Sequence, residues 1–434
     1  MKIISINGDK FNLHVNAVEK ILDKIPFSTS VKIVAVTGPF RSGKSFLVNY
    51  LMGNINSQRI HGGESGEPIH WASGKDRQTT GIYLCYDEDT QILYLDTQGL
   101  FDMNTDTKTT VGLFGLANLL CSHMIFNIPN RIQEDNLQYL CFFAEYCRMV
   151  FDKKIPLLTF LVRDCSFSTS EDPQKYINGI LTNQENSEII KTRTTLQKCY
   201  NHIDCFLMEH PGKMATTDAF KGEFEQMEKG FVKDLEELKK YIHRNTTYKK
   251  LDNQIMDVSK FITILQVYID TFNSSSGKMP PIDTMLEANM TCFKISTIRE
   301  YVQEFDRRSL DLCKQISNTK LLLDGFELIK KELLQRYSCK FTPMDELLPS
   351  LEEELNEKCK NIFMIKKSPR NIGINNYINS ALVMMASSAI SNISKQCIDY
   401  EYLNGTCSVV NNASNCVFYS TSLLILGIIW KKLT

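Results

Sequence analysis

The sequence lacks several patterns that would place it in other protein classes. Its fourteen cysteines include no CxxC pair and no Cys/His cluster at zinc spacing, which argues against a zinc module or a disulfide framework. The net charge of -1 provides no basic field for phosphate backbones, so we expect no nucleic-acid partner. Residues 1–15 hold no continuous apolar run, and we therefore expect no signal peptide.

The composition is that of a globular protein. With 43% hydrophobic and 23% charged residues, the chain has enough apolar material for a packed core. At about 100–200 residues per domain, its 434 residues predict two or three folded units.

The first half of the chain alternates strand-like and helical patterns. A β-branched run at 33–37 leads through glycines into a helical start at 46–52. Further apolar runs lie at 81–85, 92–95 and 157–162, and helical patterns at 111–126 and 136–151. This alternation predicts an α/β domain over residues 1–215, with a mostly parallel sheet and helices on both faces.

Helical periodicity with dense charge follows, and it predicts an α-helical bundle over residues 216–365. The predicted helices are 224–241, 258–271, 285–310 and 345–362, with a loop at 273–281. Charges then become sparse, and residues 422–430 (SLLILGIIW) are the most hydrophobic run in the sequence. We assign residues 366–434 to a C-terminal membrane-anchor region.

Residues 38–45 (GPFRSGKS) fit the phosphate-loop pattern GxxxxGK[ST]. In such a loop the backbone N–H groups face phosphates, so Lys44 is predicted to reach the β- and γ-phosphates and Ser45 to hold Mg²⁺. The alternative, an ordinary turn, is disfavoured by the strand before and the helix after. The pattern predicts a P-loop nucleotide-binding domain.

A second acidic site is predicted at Asp96-Thr97-Gln98-Gly99, directly after the apolar run 92–95. This DxxG pattern is typical of GTPases, in which the aspartate holds magnesium through water. We expect the backbone N–H of Gly99 to meet the γ-phosphate. The alternative is a surface turn.

Small GTPases carry a water-orienting glutamine after this glycine, but Leu100 stands here. Some other group must therefore assist hydrolysis, and Arg41 inside the phosphate loop is the candidate. An arginine finger is worth roughly 10³–10⁵ in rate. The alternative for Arg41 is a solvent-facing loop side chain.

No [NT]KxD guanine-reading motif occurs in the sequence, which by itself leaves ATP open as the nucleotide. Arg163-Asp164, at the end of the run 157–162, is the candidate substitute. A carboxylate there can accept from both base N–H groups of guanine, a pattern that adenine does not offer.

Five runs in this order resemble the G domain of the atlastin family and, more distantly, the guanylate-binding proteins: GPFRSGKSFLVNYL, DRQTTGI, DTQGLFD, IQEDNLQYLCFFAEYCRM and FLVRDCSF. The resemblance extends more weakly from about residue 2 to residue 362. It implies a dynamin-like GTPase whose G domains dimerise in trans and which tethers, and fuses, endoplasmic reticulum membranes.

The resemblance also implies roles for individual residues. Arg41 would be the arginine finger in cis, and Arg77 a switch arginine acting across the dimer. Thr79 would be the switch threonine on magnesium, with its neighbour Thr80 as the alternative. Asp164 would read guanine with Arg163 beside the base, under a cap at 205–212. The phosphate-loop contacts implied for GTP are Gly38, Phe40, Arg41, Ser42, Gly43, Lys44, Ser45 and Phe46.

Two membrane crossings are predicted, at 372–393 and 415–430, with both flanks positive and the G domain in the cytosol. The last four residues, KKLT, fit the KKxx dilysine pattern of endoplasmic reticulum membrane proteins. The first segment is rich in asparagine and serine, so a single tail anchor is the alternative.

Two other functions stay open on the sequence. One is a soluble, oligomerising GTPase closer to guanylate-binding proteins, in which the last apolar run is part of a core. The other is a GTP-gated tether or scaffold that binds GTP with little turnover.

Overall fold

A twisted sheet organises the first part of the chain, as seen in a computed structural model of the protein. The structure describes residues 1–367 except 23–24, 27, 54–68, 70–78, 101–106, 152–153, 167–170, 183–186, 218–219, 221, 252–253, 277 and 342–344. The chain divides into two compact units, Met1–Leu286 and a second that begins at Glu287.

Eight strands form the sheet of the first unit. They are β1 (Lys2–Asn7), β2 (Lys10–Leu13), β3 (Lys32–Thr37), β4 (Ile82–Asp87), β5 (Ile92–Thr97), β6 (His123–Pro129), β7 (Ile155–Arg163) and β8 (Tyr200–Leu207). Their order in the sheet is β2-β1-β4-β5-β3-β6-β7-β8. The five strands from β5 to β8 in that order are parallel, whereas β4, β1 and β2 continue the sheet antiparallel. The expected mostly parallel sheet is confirmed.

A separate two-stranded ribbon joins β9 (Lys250–Leu251) and β10 (Gln254–Ile255).

Helices cover both faces of this sheet, as predicted. They are α1 (Val15–Leu22), α2 (Lys44–Leu51), α3 (Thr107–Leu120), α4 (Glu134–Phe151), α5 (Pro173–Leu181), α6 (Ser187–Cys199), α7 (Lys229–Asn245) and α8 (Val258–Ser274). One face carries Val34, Val36 and Ile125 and packs in one core cluster with apolar residues of α2 and α7. On the other face the Phe126 ring lies 6.2 Å from that of Phe114 in α3.

The central strand β3 explains why the site forms where it does. Its residues Ile33, Val34, Ala35 and Val36 are fully buried, as expected of a parallel strand covered on both faces. Because β3, β5, β6 and β7 are parallel, their carboxyl ends meet at one edge of the sheet. Ligands of open α/β sheets bind at that edge.

The predicted helix 111–126 is wrong in its second half. Helix α3 ends at Leu120, and residues 123–126 belong to strand β6. Strand β6 is buried along almost its whole length, and its residues 124–126 form a short apolar run without period-2 alternation. Such a run cannot be told from a buried helix by periodicity alone.

Helix α7 lies within the first unit and packs on the sheet. It buries Phe231, Leu235, Leu238 and Ile242 in the cluster that contains Val34. The boundary between the two compact units lies after Leu286. The boundaries suggested by the sequence, at residues 215 and 365, stay predictions.

The chain that follows is helical, as expected. Its helices are α9 (Ile282–Gln315), α10 (Thr319–Lys340) and α11 (Leu348–Lys367). Helix α10, which the sequence analysis did not predict, buries Leu322, Phe326, Ile329, Leu333 and Tyr337 at helical spacing. Within this unit, buried Asp345 joins two helices: it accepts from Lys294 Nζ at 2.6 Å and from Tyr337 Oη at 3.1 Å.

Among the helices that the structure describes, none is long and apolar enough to cross a membrane. The predicted crossings at 372–393 and 415–430 lie outside the described residues.

Candidate nucleotide site

The phosphate loop connects β3 to α2 and is shaped by its glycines. Gly38 has φ 139°. A Cβ on Gly38 would lie 2.0 Å from the backbone oxygen of Asn127 at the end of β6, so only glycine fits there. Gly43 is the N-cap of α2. The loop therefore places the first N–H groups of α2 at the sheet edge, the arrangement that binds phosphate.

Side chains of the loop close it internally. Ser42 Oγ donates to the carbonyl of Pro39 at 2.9 Å, and Lys44 Nζ donates to the same carbonyl at 2.8 Å. Phe46 points away from the loop: it is buried in the core, with its ring 6.3 Å from that of Phe231. A contact from Phe46 to a ligand would therefore have to come from its backbone, at the start of α2.

Three of the predicted metal-site residues come together beside Lys44. Ser45 Oγ donates to Asp96 Oδ2 at 2.6 Å and lies 2.7 Å from Thr79 Oγ1. The other carboxylate oxygen, Asp96 Oδ1, is buried and has no hydrogen-bond partner among the described residues. Hard cations take such oxygen ligands, and Mg²⁺ in particular is bound by one or two carboxylates together with substrate phosphates. The residues present fit magnesium.

This cluster differs from a dedicated metal cage. Within the described part of the chain, no group of three or more His, Cys, Asp or Glu side chains is placed to hold a metal ion. Ser45, Thr79 and Asp96 supply one carboxylate and two hydroxyls, so a metal held here would take its remaining ligands from water or from phosphates.

Burial shifts both charges of the site toward their neutral forms. Burial raises the pKa of Asp96 to about 6, partly offset by the hydrogen bond from Ser45 and the charge of Lys44. Burial lowers the pKa of Lys44 to about 8, partly offset by the charge of Asp96. A dication stabilises the ionised carboxylate and phosphate stabilises the ammonium, so both groups gain from a metal–phosphate ligand.

The segment after β5 packs directly on the phosphate loop. Leu100 N donates to Gly38 O at 3.0 Å, and Phe40 N donates to Leu100 O at 2.9 Å. A Cβ on Gly99 would lie 2.4 Å from Cα of Phe40, which requires glycine at this close approach. Leu100 is 1% exposed, so its side chain belongs to the core and not to the reaction site.

Arg41 stands at the outer surface of the loop. Its backbone is left-handed, with φ 63°, and its side chain is exposed. The guanidinium carbon lies 5.3 Å from the centre of the Phe40 ring. The second predicted arginine, Arg77, lies outside the described residues.

Asp164 follows β7 in a left-handed conformation, with φ 57°. The segment 205–212 reaches this turn, because Cys165 N donates to Met208 O at 3.0 Å and Met208 N donates to Val162 O at 2.9 Å. The predicted base-reading carboxylate and the predicted cap are therefore neighbours.

Arg163 lies beneath the phosphate loop. Its guanidinium carbon is 5.1 Å from the centre of the Phe231 ring, and Nη1 is 3.0 Å from where a Gly43 Cβ would stand. The side chain is 7% exposed, and its Nε and Nη1 have no hydrogen-bond partner among the described residues. Burial lowers the pKa of Arg163, partly offset by the charge of Asp164. A buried guanidinium of this kind favours an anion at the loop above it.

Sequence reasoning missed Asn127. Its Nδ2 donates to Ser42 O at 2.7 Å and to Ser42 Oγ at 3.1 Å, while its Oδ1 is buried without a partner in the described structure. A signal was present: a polar residue near the carboxyl end of a buried apolar run stands at the edge where ligands bind.

The fold and the site define a P-loop nucleotide-binding protein with the DxxG element of GTPases. The family model described as "Guanylate-binding protein, N-terminal domain" matches residues 8–251, more than half of the chain. The chain belongs to the guanylate-binding protein family, whose N-terminal domain is a GTPase domain. Membership implies that the chain binds and hydrolyses GTP.

Relatives named atlastin resemble most of the chain. It is 26% identical to bovine atlastin-1 (Bos taurus) over 343 residues, covering 72% of this chain and 61% of that protein. It is 27% identical to Drosophila melanogaster atlastin over 369 residues, covering 77% and 68%. It is 26% identical to human (Homo sapiens) atlastin-2 over 415 residues, covering 83% and 70%. The chain thus spans 61% of the length of bovine atlastin-1. The expected resemblance to the atlastins is confirmed.

Proposed function

We propose that this protein is a Mg²⁺-dependent GTPase that hydrolyses GTP to GDP and phosphate when two G domains dimerise, and that it tethers and fuses endoplasmic reticulum membranes. The observation that carries the proposal is the convergence of Ser45, Thr79 and Asp96 beside Lys44, at the end of a phosphate loop. Membership in the guanylate-binding protein family supports the choice of GTP.

Each part of the site has a task in this proposal. The N–H groups at the start of α2 and the Lys44 ammonium bind the phosphates. Ser45, Thr79 and Asp96 hold the metal, and bound Mg²⁺ supplies neutralisation of charge on the β- and γ-phosphates. The Gly99 N–H faces the γ-phosphate, and Asp164 accepts from the base N–H groups of guanine.

Arg41 supplies the guanidinium that assists hydrolysis, because the buried Leu100 cannot orient the attacking water. Its exposure on the loop is what a dimerising enzyme requires, because a partner surface can fold the side chain onto the phosphates. We further propose that Arg77 acts across the same dimer. A finger of this kind contributes roughly 10³–10⁵ in rate.

The membrane part of the proposal depends on residues 366–434 and on the resemblance to the atlastins. Anchoring by 372–393 and 415–430 would leave the G domain in the cytosol, able to meet a G domain on a facing membrane. A soluble GTPase and a slow GTP-gated tether are the competing functions. Phosphate release tests for the tether, and reconstitution in liposomes tests for the soluble enzyme.

The decisive test is single-turnover phosphate release by the full chain, with and without Mg²⁺, and with ATP in place of GTP. We expect release from GTP only, and an Asp96→Asn variant at least about a hundredfold slower because the metal loses its carboxylate. Asp89→Asn, on an exposed turn, is the matched control and should match the wild type. Tight GTP binding without phosphate release identifies the tether, and equal turnover of ATP contradicts the guanine assignment.

Reconstitution of the full chain in liposomes tests the membrane function. Lipid mixing that requires GTP supports fusion. Clustering of liposomes without mixing restricts the function to tethering, and failure of the chain to associate with liposomes favours the soluble enzyme.

A further inference from the structure

Three consecutive residues before β4 are each anchored to a different part of the first unit. Thr79 Oγ1 lies 2.7 Å from Ser45 Oγ at the phosphate loop. Thr80 Oγ1 accepts from Lys2 Nζ at 2.6 Å. Gly81 N donates to Gln98 Oε1 at 3.1 Å, and Gln98 N donates to Gly81 O at 2.9 Å.

Lys2 is held in place for this contact by the sheet. It pairs with Tyr83 of β4 in the antiparallel register of β1, and its ammonium lies 5.4 Å from the centre of the Tyr83 ring. A cation over an aromatic ring is stabilised in that position. The ammonium therefore reaches Thr80 from a fixed strand and not from a free surface side chain.

We infer that Lys2 is a positioning residue that determines which of the two adjacent threonines faces the metal site. The two adjacent threonines make different contacts, because the Thr79 hydroxyl meets Ser45 and the Thr80 hydroxyl meets Lys2. Because Lys2 holds the Thr80 hydroxyl toward β1, the Thr79 hydroxyl is turned toward Ser45 and Asp96. This inference deepens the proposed function and rests on it, since it assigns Lys2 to the switch segment of the proposed GTPase.

The consequence is a preference for the triphosphate state. In GTPases, switch segments are ordered by contacts with the γ-phosphate and Mg²⁺ and are released after hydrolysis. A residue that fixes Thr79 beside the metal site stabilises the ordered state alone. Lys2 thus strengthens binding of GTP with Mg²⁺ and leaves binding of GDP almost unchanged, since a ligand shifts an equilibrium only by its differential affinity.

The test compares Lys2→Met and Thr80→Val with the wild-type full chain, using the β,γ-imido analogue of GTP and GDP as probes. We expect each variant to bind the analogue about tenfold more weakly, the effect of a lost hydrogen bond to a charged group. With GTP as the substrate, each variant should need about tenfold more Mg²⁺ for half-maximal hydrolysis. GDP affinity should stay within about twofold. The double variant should lose no more than either single variant, because the two side chains form one contact.

Two further variants distinguish a positioning role of Lys2 from a general loss of folding or nucleotide binding. Lys10→Met, on the exposed position of β2, should behave as the wild type, and Lys2→Arg should retain most of the analogue binding because it keeps a cationic donor. An equal loss for GDP and the analogue, or no loss for either, overturns the inference. A wild-type chain that binds neither probe would instead contradict the proposed function.

Discussion

The side-chain amide of Asn127 donates to the carbonyl oxygen of Ser42 at 2.7 Å, joining the end of β6 to a phosphate loop 85 residues earlier in the chain. The same Nδ2 lies 3.1 Å from Ser42 Oγ. The backbone oxygen of Asn127 also limits the space at Gly38. One residue of a neighbouring strand thus contacts the loop at two positions, Gly38 and Ser42.

Asn127→Asp should therefore weaken nucleotide binding without changing the size of the side chain. The carboxylate cannot donate to Ser42 O, and an unsatisfied buried group costs about 1–3 kcal/mol. We expect GDP and GTP to bind about 5- to 100-fold more weakly, since 1.4 kcal/mol corresponds to a factor of ten. Titration with a fluorescent guanine nucleotide measures this effect.

Asn12→Asp, at an exposed position of β2, is the control for adding a charge to the sheet domain. Urea unfolding of both variants shows whether Asn127→Asp acts on the whole domain or on the loop. Unchanged nucleotide affinity would show that the contact between Asn127 and Ser42 does not shape the binding loop.

Arg41→Gly should retain nucleotide binding and lose most of the hydrolysis rate. Glycine suits this position because its backbone has φ 63°, where a residue with a Cβ is strained. We expect phosphate release at saturating GTP to fall by roughly 10³ or more, the contribution of an arginine finger. The control is Arg244→Ala, since Arg244 is exposed near the end of α7. Alanine is used there because glycine would destabilise the helix.

The outcome also bears on dimerisation. If Arg41 acts only when a partner orders it, the specific activity of the wild type rises with protein concentration and that of Arg41→Gly does not. A decrease of less than about tenfold, far below what a finger supplies, would leave Arg41 as a surface residue of the loop.

Local sequence was enough to predict the parts of the site that lie on one short segment. The phosphate loop stands between β3 and α2, and Asp96 lies in β5, because β-branched runs and glycine spacing determine strand, turn and helix over a few residues. The resemblance to the atlastins added Thr79, and the structure places its hydroxyl, not that of Thr80, against Ser45.

Contacts between distant segments could not be predicted in the same way. The amide of Asn127 and the ammonium of Lys2 reach the site only because the strand order brings β6 beside β3, and β1 beside β4. The predicted helix 111–126 runs into strand β6, because both faces of that strand are buried and its apolar residues show no strand alternation. Helix α7 carries the charge density of a bundle helix, yet one stripe of it covers the sheet.

Asp164→Asn should change the base preference of the enzyme. The carboxylate is proposed to accept from two guanine N–H groups, and an amide offers one acceptor and one donor, which suits xanthine better. Asparagine also tolerates the left-handed backbone at φ 57°, so the turn should survive the change. We expect GTP affinity to fall by about a hundredfold or more and xanthosine triphosphate to become the better substrate.

Competition between the two nucleotides in a phosphate-release assay measures this preference. Asp172→Asn, the N-cap of α5, is a control for loss of an aspartate in the same region, and it should keep the preference for GTP. If Asp164→Asn also prefers GTP, the base is read elsewhere.

The buried imidazole of His123 should make the sheet domain sensitive to acid. Its Nδ1 lies 2.8 Å from Thr246 Oγ1 and its Nε2 2.8 Å from Thr159 Oγ1, so it links β6 to β7 and to the end of α7. Burial lowers the pKa of His123 from 6.5 to about 3. Between these values the unfolded chain binds a proton that the folded protein does not, so stability falls as the pH drops below the unfolded value.

The expected slope is about 1.4 kcal/mol per pH unit below the unfolded pKa, which amounts to roughly 2 kcal/mol between about pH 7.5 and about pH 5. His123→Gln removes this titration, so urea unfolding of the full chain should show a smaller loss of stability on acidification for the variant than for the wild type. His14→Gln, at an exposed position, is the control for replacing an imidazole with an amide. Parallel acid slopes for wild type and His123→Gln would mean that the imidazole is protonated in the folded protein, because only a proton bound equally in both states leaves the slope unchanged.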